Sequence, residues 1–272
     1  MCEIGKKFAD IQYYNKEMQK GMEDKLFFLE KLPKNNYMFI DFGCADGSII
    51  NALSTILDGN HNKYIGYDIS ETMIDLARTN YHGPVNANVI FTSDWEEVEK
   101  NIKWTTICTE YKSVLILSSV IHEVYSYANN QDDIIKFWNR VINSGFDYII
   151  IRDMCPSEDI DRTSDIHLVD KVRDKADRML LEEFEGKWGS IHNNKNLIHF
   201  LLKYRWKVNW KRECYENYFP IYVQDLLKNF KDFNIDYFER FRVPFLDKCM
   251  WDDYNIKIND FTHIKAIFTK KL

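Results

Sequence analysis

Residues 39–50, FIDFGCADGSII, join an apolar run to an apolar helical pattern through a loop that holds Gly43 and Gly47. The run before the loop is typical of a buried strand, and the apolar spacing after Gly47 is typical of a helix. Glycine frees the backbone and leaves room for a close neighbour. A strand, a glycine loop and a helix in this order predict that a ligand approaches the backbone at the loop.

Apolar segments and helical patterns alternate along most of the chain. Ser70, for example, is positioned to cap a helix that runs to about Thr79. Apolar strands that alternate with helices predict an α/β fold whose mostly parallel sheet is covered on both faces. The predicted strands are 37–42, 64–69, 88–92, 113–118, 148–152, 233–241 and 262–269.

The chain divides into predicted parts. Residues 1–36 are expected to form an N-terminal helical cover, because an apolar stripe runs through 7–32 before Pro33. Residues 37–272 are expected to form the main domain. The alternation breaks near Pro156, and about 157–220 is predicted to be an inserted helical lid or substrate region, since the last two strands return to the sheet. Its aspartate-rich part, 157–174, is expected to be a solvated connection.

Composition narrows the class of protein. The chain has 272 residues, 45% apolar and 29% charged, which is typical of a globular protein. No apolar run is long enough to span a bilayer, so we expect no membrane association. The six cysteines are scattered, which favours reduced thiols in the cytoplasm over disulfides, and no metal-ligand spacing stands out. The net charge of −6 argues weakly against general nucleic-acid binding.

Two acids define the predicted ligand. Asp68 ends the second strand, where a carboxylate can accept hydrogen bonds from both hydroxyls of a ribose. Asp46 lies within the loop, where it would repel a pyrophosphate and attract an ammonium or a sulfonium group. The loop also differs from the GxGxxG pattern of dinucleotide enzymes.

At these residues the chain resembles the class I S-adenosylmethionine-dependent methyltransferases, over roughly 37–155 and again over 222–271. The DFGCADG stretch is similar to the first motif of that family, although Ala45 stands where the middle glycine usually lies. The resemblance implies a Rossmann-like seven-stranded sheet with an antiparallel last strand, and S-adenosylmethionine as the cofactor. It assigns cofactor binding to Asp41, Gly43, Cys44, Ala45, Gly47, Asp68, Ile69, Met73, Ser93, Asp94, Trp95 and Ser118.

The candidate catalytic residues are His122 and Glu123, which follow the fourth strand at its carboxyl end. Ligands bind at this edge of open α/β sheets, and histidine is a suitable general base near neutral pH. The alternative is that His122 packs beside the adenosyl group while Glu123 anchors a loop.

A basic and aromatic segment, 203–212 or KYRWKVNWKR, suggests RNA as one acceptor. Aromatic rings stack on bases and cations contact phosphates. The same residues also fit a half-buried strand or a helical stripe, in which case they belong to the core. The candidate RNA contacts are Lys203, Arg205, Trp206, Lys207, Trp210 and Lys211.

The sequence therefore predicts methyl transfer from S-adenosylmethionine, with the acceptor left open between RNA or its nucleotides and a small metabolite. A third hypothesis is a catalytically silent subunit that binds the cofactor and acts through a partner. The intact set of Asp41, Gly43, Gly47 and Asp68 favours retained cofactor binding but says little about turnover.

Overall fold

A computed structural model describes residues 21–57, 61–107 and 110–271. Its seven-stranded sheet has the strand order β3-β2-β1-β4-β5-β7-β6. The strands are β1 Tyr37–Phe42, β2 Lys63–Tyr67, β3 Asn88–Thr92, β4 Lys112–Ser118, β5 Tyr148–Met154, β6 Phe233–Phe241 and β7 His263–Lys270.

The first five strands of the sheet are parallel, with β1 paired to both β2 and β4. The last two strands, β7 beside β5 and β6 at the edge, are antiparallel. The N–H of Cys155, just after β5, donates to the carbonyl of Thr262, just before β7, at 3.0 Å, and the Thr262 N–H donates to Phe241 at 3.3 Å. The predicted Rossmann-like sheet with an antiparallel last strand is confirmed.

Helices connect the strands, and three of them were not indicated by the sequence pattern: α4 (Trp95–Ile107), α5 (Ile121–Tyr127) and α12 (Pro244–Tyr254). The described part of the N-terminal segment contains the short helix α1 (Met22–Lys25), followed by turns to residue 32. The rest of the predicted cover lies outside the described residues. The helices are α1 Met22–Lys25, α2 Ser48–Ile56, α3 Glu71–Asn80, α4 Trp95–Ile107, α5 Ile121–Tyr127, α6 Gln131–Asn143, α7 Ile166–Lys175, α8 Arg178–Trp188, α9 Asn194–Tyr204, α10 Trp210–Tyr215, α11 Val223–Asn229 and α12 Pro244–Tyr254.

The chain folds as two compact units. The first contains the described residues up to Asp153, Asn229–Phe238 and the end of the chain from Lys265. Its core is built from the sheet and its flanking helices, where β1, β2 and β4 are apolar and almost wholly buried. Phe28, just after α1, is fully buried in the same core. The short α1 is therefore packed against the first unit.

The second unit comprises Met154–Lys228 and Glu239–Ile264. It has a helical core of its own, which includes Phe184, Phe200 and Tyr254. The aspartate-rich part is ordered, which corrects the expected solvated connection: the carboxylate of Asp165 accepts the N–H of His167 at 2.9 Å and caps α7. Asp177 caps α8 in the same way. These acids satisfy helix N-termini. The lid role predicted for about 157–220 stays a prediction.

Within the described residues, no helix has the length and apolar character needed to cross a membrane. The same residues contain no group of three or more histidine, cysteine, aspartate or glutamate side chains that is arranged to hold a metal ion.

Candidate active site

The glycine loop between β1 and α2 folds back against the end of β2. The N–H groups of Gly43 and Cys44 both donate to the carbonyl of Tyr67, at 2.7 and 2.9 Å. Gly43 has a φ of +75° and Gly47 a φ of +76°, a left-handed conformation that glycine adopts without steric penalty. Ala45 shares the left-handed region with a φ of +46°.

Gly43 has a second reason to lack a side chain. A Cβ atom built on it would lie 2.5 Å from Cγ2 of Val120, the residue before α5. The missing side chain brings the loop after β1 and the turn after β4 into direct contact. The backbone of the loop and the start of α5 therefore lie together at the carboxyl edge of the sheet.

Asp68 holds the loop in place from the end of β2. Its Oδ2 accepts the N–H of Ala45 at 3.0 Å, and its Oδ1 accepts the N–H of Ser70 at 2.9 Å. Burial raises the pKa of the Asp68 carboxyl, while these two N–H donors lower it. Each oxygen of an ionised carboxylate has a second acceptor site. Asp68 is thus oriented by the protein while it keeps capacity for ligand hydroxyls.

Asp41, the last residue but one of β1, is a deeply buried acid that is 2% exposed. Its Oδ2 has no hydrogen-bond partner within the described residues, and neither has Oγ of Ser118, at the end of β4. Burial raises the pKa of Asp41 to about 7; Lys25 opposes that shift, and the nearby charges of Asp68 and Asp46 add to it. The loop thus has an acidic interior.

A basic side chain from α1 reaches this acidic interior. Lys25 is only 5% exposed, and burial lowers its pKa to about 8. Arg152 lowers this pKa further, whereas Asp41, Asp46 and Asp24 raise it. The buried Lys25 is therefore near enough to Asp41 and Asp46 for their charges to raise its pKa, although the sequence analysis did not select it.

Next to Lys25, Asp24 joins α1 to two strands. Its carboxylate accepts the Arg152 Nε and Nη2 groups at 2.9 and 2.6 Å, and Lys265 Nζ at 2.5 Å. Arg152 also donates to Oγ of Ser119 at 3.0 Å. Because Arg152 donates twice to Oδ2 of Asp24 while Lys265 contacts Oδ1, these charge-assisted hydrogen bonds fix α1 against β5 and β7.

His122 forms a buried pair with an acid from the next strand. Its Nδ1 lies 2.8 Å from Oδ1 of Asp153, and the two residues are 6% and 1% exposed. Oδ2 of Asp153 accepts the N–H of Ile121 at 2.7 Å, which fixes the carboxylate. With Nδ1–H donating to Asp153, Nε2 is the basic nitrogen of the imidazole. Asp153 is a second residue that the sequence analysis did not select.

A family model described as a methyltransferase domain matches residues 33–185, more than half of the chain. The chain belongs to the class I S-adenosylmethionine-dependent methyltransferases. This agrees with the order of motifs in the sequence and with the strand order of the sheet. S-adenosylmethionine is the cofactor of the family.

Other similarities are partial or remote. The juvenile hormone acid O-methyltransferase of Bombyx mori is 36% identical over 81 residues, a segment that covers 28% of this chain and 28% of the relative. The plantazolicin methyltransferase BamL, solved with a desmethylPZN analog and SAH, is 13% identical with a TM-score of 0.45, covering 96% of this chain and 89% of its own. The cyclopropane synthase MmaA2 from Mycobacterium tuberculosis is 7% identical with a TM-score of 0.49, covering 93% and 84%.

The residues of the loop fit the cofactor of this methyltransferase family. The unpartnered Oδ2 of Asp41 is a buried acceptor, which suits the ammonium at the amino-acid end of the cofactor. The remaining acceptor sites of Asp68 suit ribose hydroxyls. Ile69, which follows it, is 72% exposed and offers an apolar surface at the same edge. S-adenosylmethionine supplies an activated methyl group on a sulfonium.

The other predicted cofactor residues have defined places, and their roles stay predictions. Cys44 and Met73 are buried in the first unit. Ser93 donates its hydroxyl to Glu71. Asp94 is exposed and accepts the N–H of Glu96 at 2.9 Å.

Trp95 and Glu123 complete the set of predicted site residues. The indole of Trp95 is buried, with ring centroids 5.5 Å from Phe42 and 5.1 Å from Tyr67. Glu123 is half-buried on α5, beside His122. Packing accounts for the position of Trp95, and its predicted contact with adenine stays a prediction.

The segment 203–212 is not the stacking surface that its composition suggested. Lys203 is fully buried, and its ammonium donates to the carbonyls of Glu213 and Glu216 at the end of α10. Trp210 is buried and donates Nε1–H to Glu183 at 3.0 Å. The RNA contacts predicted for Lys203 and Trp210 are therefore wrong, because both groups serve the core of the second unit.

The other predicted contacts in this segment are more accessible. Lys207 and Lys211 are exposed, while Arg205 and Trp206 are half-buried. The segment itself is not one strand or one helix: it passes from α9 through a 3₁₀ turn at Lys207–Asn209 into α10. Two exposed lysines without an exposed tryptophan between them do not make a base-stacking platform.

Proposed function

We propose that this protein transfers a methyl group from S-adenosylmethionine to an oxygen atom of a small organic acceptor, with His122 as the general base. The pairing of His122 with Asp153 at the carboxyl edge of the sheet carries this proposal. A hydroxyl acceptor must lose a proton as its oxygen attacks the methyl group. A base at hydrogen-bond distance from that proton lowers the barrier.

Asp153 has the chemistry of a supporting acid. Its carboxylate selects the His122 tautomer with the proton on Nδ1, so that Nε2 accepts a proton from the substrate. It then stabilises the imidazolium that forms, as the acid does in serine hydrolase triads. Because the N–H of Ile121 fixes this carboxylate, the imidazole keeps its orientation. These contacts support a base more strongly than a residue that only packs beside the adenosyl group.

A small acceptor is favoured over RNA. The burial of Lys203, Trp210 and Arg212 removes two of the five basic side chains and one of the two tryptophans of residues 203–212 from the surface that would recognise a single strand. The 36% identical segment shared with an enzyme named as an acid O-methyltransferase agrees with an oxygen acceptor, but it does not support a general base, because a carboxylate acceptor needs none. The net charge of −6 also gives no general attraction to phosphates.

Cofactor binding is proposed for the residues of the loop and its neighbours. Asp68 accepts the ribose hydroxyls, Ile69 contacts the adenine face, and Asp41 with the loop from Gly43 to Gly47 holds the amino-acid end. A cytoplasmic location is proposed because Cys44, Cys155, Cys214 and Cys249 are free thiols.

The test compares His122→Asn and Asp153→Asn with the wild type. A panel of phenols, alcohols, carboxylic acids and single-stranded RNA is offered with S-adenosylmethionine, and formation of S-adenosylhomocysteine is measured. His82→Asn, a change at an exposed histidine, is the matched control. We expect a hydroxyl acceptor, with a rate that falls about 100-fold or more in both site variants while the cofactor affinity stays unchanged.

Three results would contradict this proposal. A rate that does not change in His122→Asn would remove the base from the mechanism. Turnover confined to carboxylic acids would point to an acceptor that is already deprotonated and needs no base. Cofactor binding without turnover on any acceptor would favour the silent partner subunit.

A further inference from the structure

Lys25 occupies an unusual position for a lysine, because burial of an ammonium is costly without compensating charges. It is held in the described structure by the short helix α1, one residue after Asp24. The Asp24 carboxylate is already engaged by Arg152 and Lys265. The charges that stabilise the Lys25 ammonium therefore include those of Asp41 and Asp46, at the loop where the cofactor binds.

We propose that Lys25 is a cofactor-binding residue that recognises the carboxylate at the amino-acid end of S-adenosylmethionine, while Asp41 and Asp46 receive the ammonium of the same end. This rests on the proposed function only as far as cofactor binding is concerned. It requires no particular acceptor and no general base.

The arrangement of charges matches the amino-acid end of the cofactor. That end is a zwitterion, with an ammonium and a carboxylate on the same carbon. The site offers a buried acceptor at Oδ2 of Asp41, the neighbouring acid Asp46, and a buried cation at Lys25. When the ligand is bound, its ammonium lies near the two acids and its carboxylate lies near the Lys25 ammonium, so each charge is next to opposite charges.

The position of α1 makes this interaction specific. Because Arg152 and Lys265 hold Asp24, the backbone of the adjacent Lys25 is fixed before the ligand arrives. Less conformational entropy is then lost when the ammonium meets a carboxylate. An exposed lysine of the same segment, such as Lys34, has no comparable restraint among its described contacts.

The test measures binding and needs no turnover. Isothermal calorimetry determines the affinities of S-adenosylhomocysteine and of S-adenosyl-3-thiopropylamine, which lacks only the carboxylate. The wild type should prefer S-adenosylhomocysteine by about 30-fold, the size of one charge-assisted hydrogen bond. Lys25→Met should reduce that preference to a few-fold, whereas the control Lys34→Met should keep it.

A second measurement covers the case in which Lys25→Met does not fold. The preference of the wild type is determined at pH 7 and at pH 9.5, and it should shrink at the higher pH as the ammonium of Lys25 loses its proton. Arg152, Asp24, Asp41 and Asp46 are the charged groups around Lys25. Burial raises the pKa of Asp41 to about 7, so this carboxylate gains charge between the two pH values. The ammonium that Asp41 receives is common to both ligands, so the preference between them reports on Lys25.

The outcomes separate this inference from the proposed function. If the wild type binds neither ligand, the cofactor site itself is wrong. If Lys25→Met weakens both ligands equally, Lys25 only shapes the loop and the inference fails while cofactor binding stands. If the wild type shows no preference, or keeps the same preference at both pH values, no lysine recognises the carboxylate.

Discussion

Replacing Gly43 with alanine tests the close contact that positions the glycine loop. The φ of +75° costs an L-residue about 1–2 kcal/mol. The new Cβ would also lie 2.5 Å from Cγ2 and 3.3 Å from Cβ of Val120, and overpacking of this kind costs about 1–3 kcal/mol. We expect Gly43→Ala to lower the free energy of unfolding by about 2–5 kcal/mol.

Gly145→Ala is the matched control for this substitution. Gly145 has a φ of +82°, and a Cβ built on it meets nothing within 4 Å. The Gly145→Ala variant therefore has the cost of a left-handed backbone but no clash of the new Cβ with a neighbouring side chain. Urea denaturation of both variants should give a difference of about 1–3 kcal/mol, which isolates the contact with Val120.

A third variant tests the identity of the clashing group. Val120→Ala removes Cγ2, so it should partly relieve the clash made by Gly43→Ala. The double variant should lose less free energy of unfolding than the two single variants lose together, by about 1 kcal/mol or more. Equal losses in Gly43→Ala and Gly145→Ala, or strict additivity with Val120→Ala, would refute the reasoning.

Three further predictions follow from the acids and the exposed lysines. Asp68→Ala should weaken S-adenosylmethionine binding by about 2–3 kcal/mol, and an unchanged affinity in calorimetry would remove Asp68 from the ribose site. Burial raises the pKa of Asp41 to about 7 from 3.8, so the protonated folded state is favoured at low pH. The stability of the wild type relative to Asp41→Asn should therefore rise as the pH falls from 7 towards 4, and urea midpoints that run in parallel would contradict this. Neutralising Lys207 and Lys211 together should leave turnover unchanged at every salt concentration; a flatter salt dependence would restore RNA as the acceptor.

The sequence predicted the sheet because its signals are local. Apolar runs bounded by turns marked every strand, although β2 ends at Tyr67, before the predicted end at residue 69. The helix α4 escaped prediction because its sequence, WEEVEKNIKWTTI, is highly charged and has few apolar residues to mark its buried side. Val98 and Ile102, which lie four residues apart, are aliphatic side chains of this helix that are buried. A stripe that narrow is easily missed.

The sequence selected candidate site residues where one residue type at a strand end carries the signal, as for Asp68 and His122, and their roles stay predictions. Its partners were not predictable in this way, because they come from distant parts of the chain. Asp153 is 31 residues from His122 in the sequence. The signal available was an acid at the end of the apolar run IIIRDM, where a charge is expensive unless it is paired.

Lys203 shows the converse error. A lysine among aromatic residues looks like an RNA contact, but whether its charge is exposed depends on what the following chain does. Here α10 ends at Tyr215, and the carbonyls of Glu213 and Glu216 at that end need donors. The ammonium of Lys203 supplies them from inside the core. Composition alone does not distinguish a cation that faces water from one that caps a helix.

The acidic loop gives a physical reason to expect a sulfonium cofactor at this sheet and not a dinucleotide. Asp41, Asp46 and Asp68 lie close enough for the last two to raise the pKa of the first. Gathering three acids at a helix N-terminus opposes the binding of a pyrophosphate, which such a site would otherwise favour. Three neighbouring acids repel one another unless cations lie close to them, and Lys25 is one such cation in this chain. A second positive charge, the ammonium or sulfonium of the cofactor, would relieve the remaining repulsion between the acids. The loop therefore favours a cationic ligand over an anionic one.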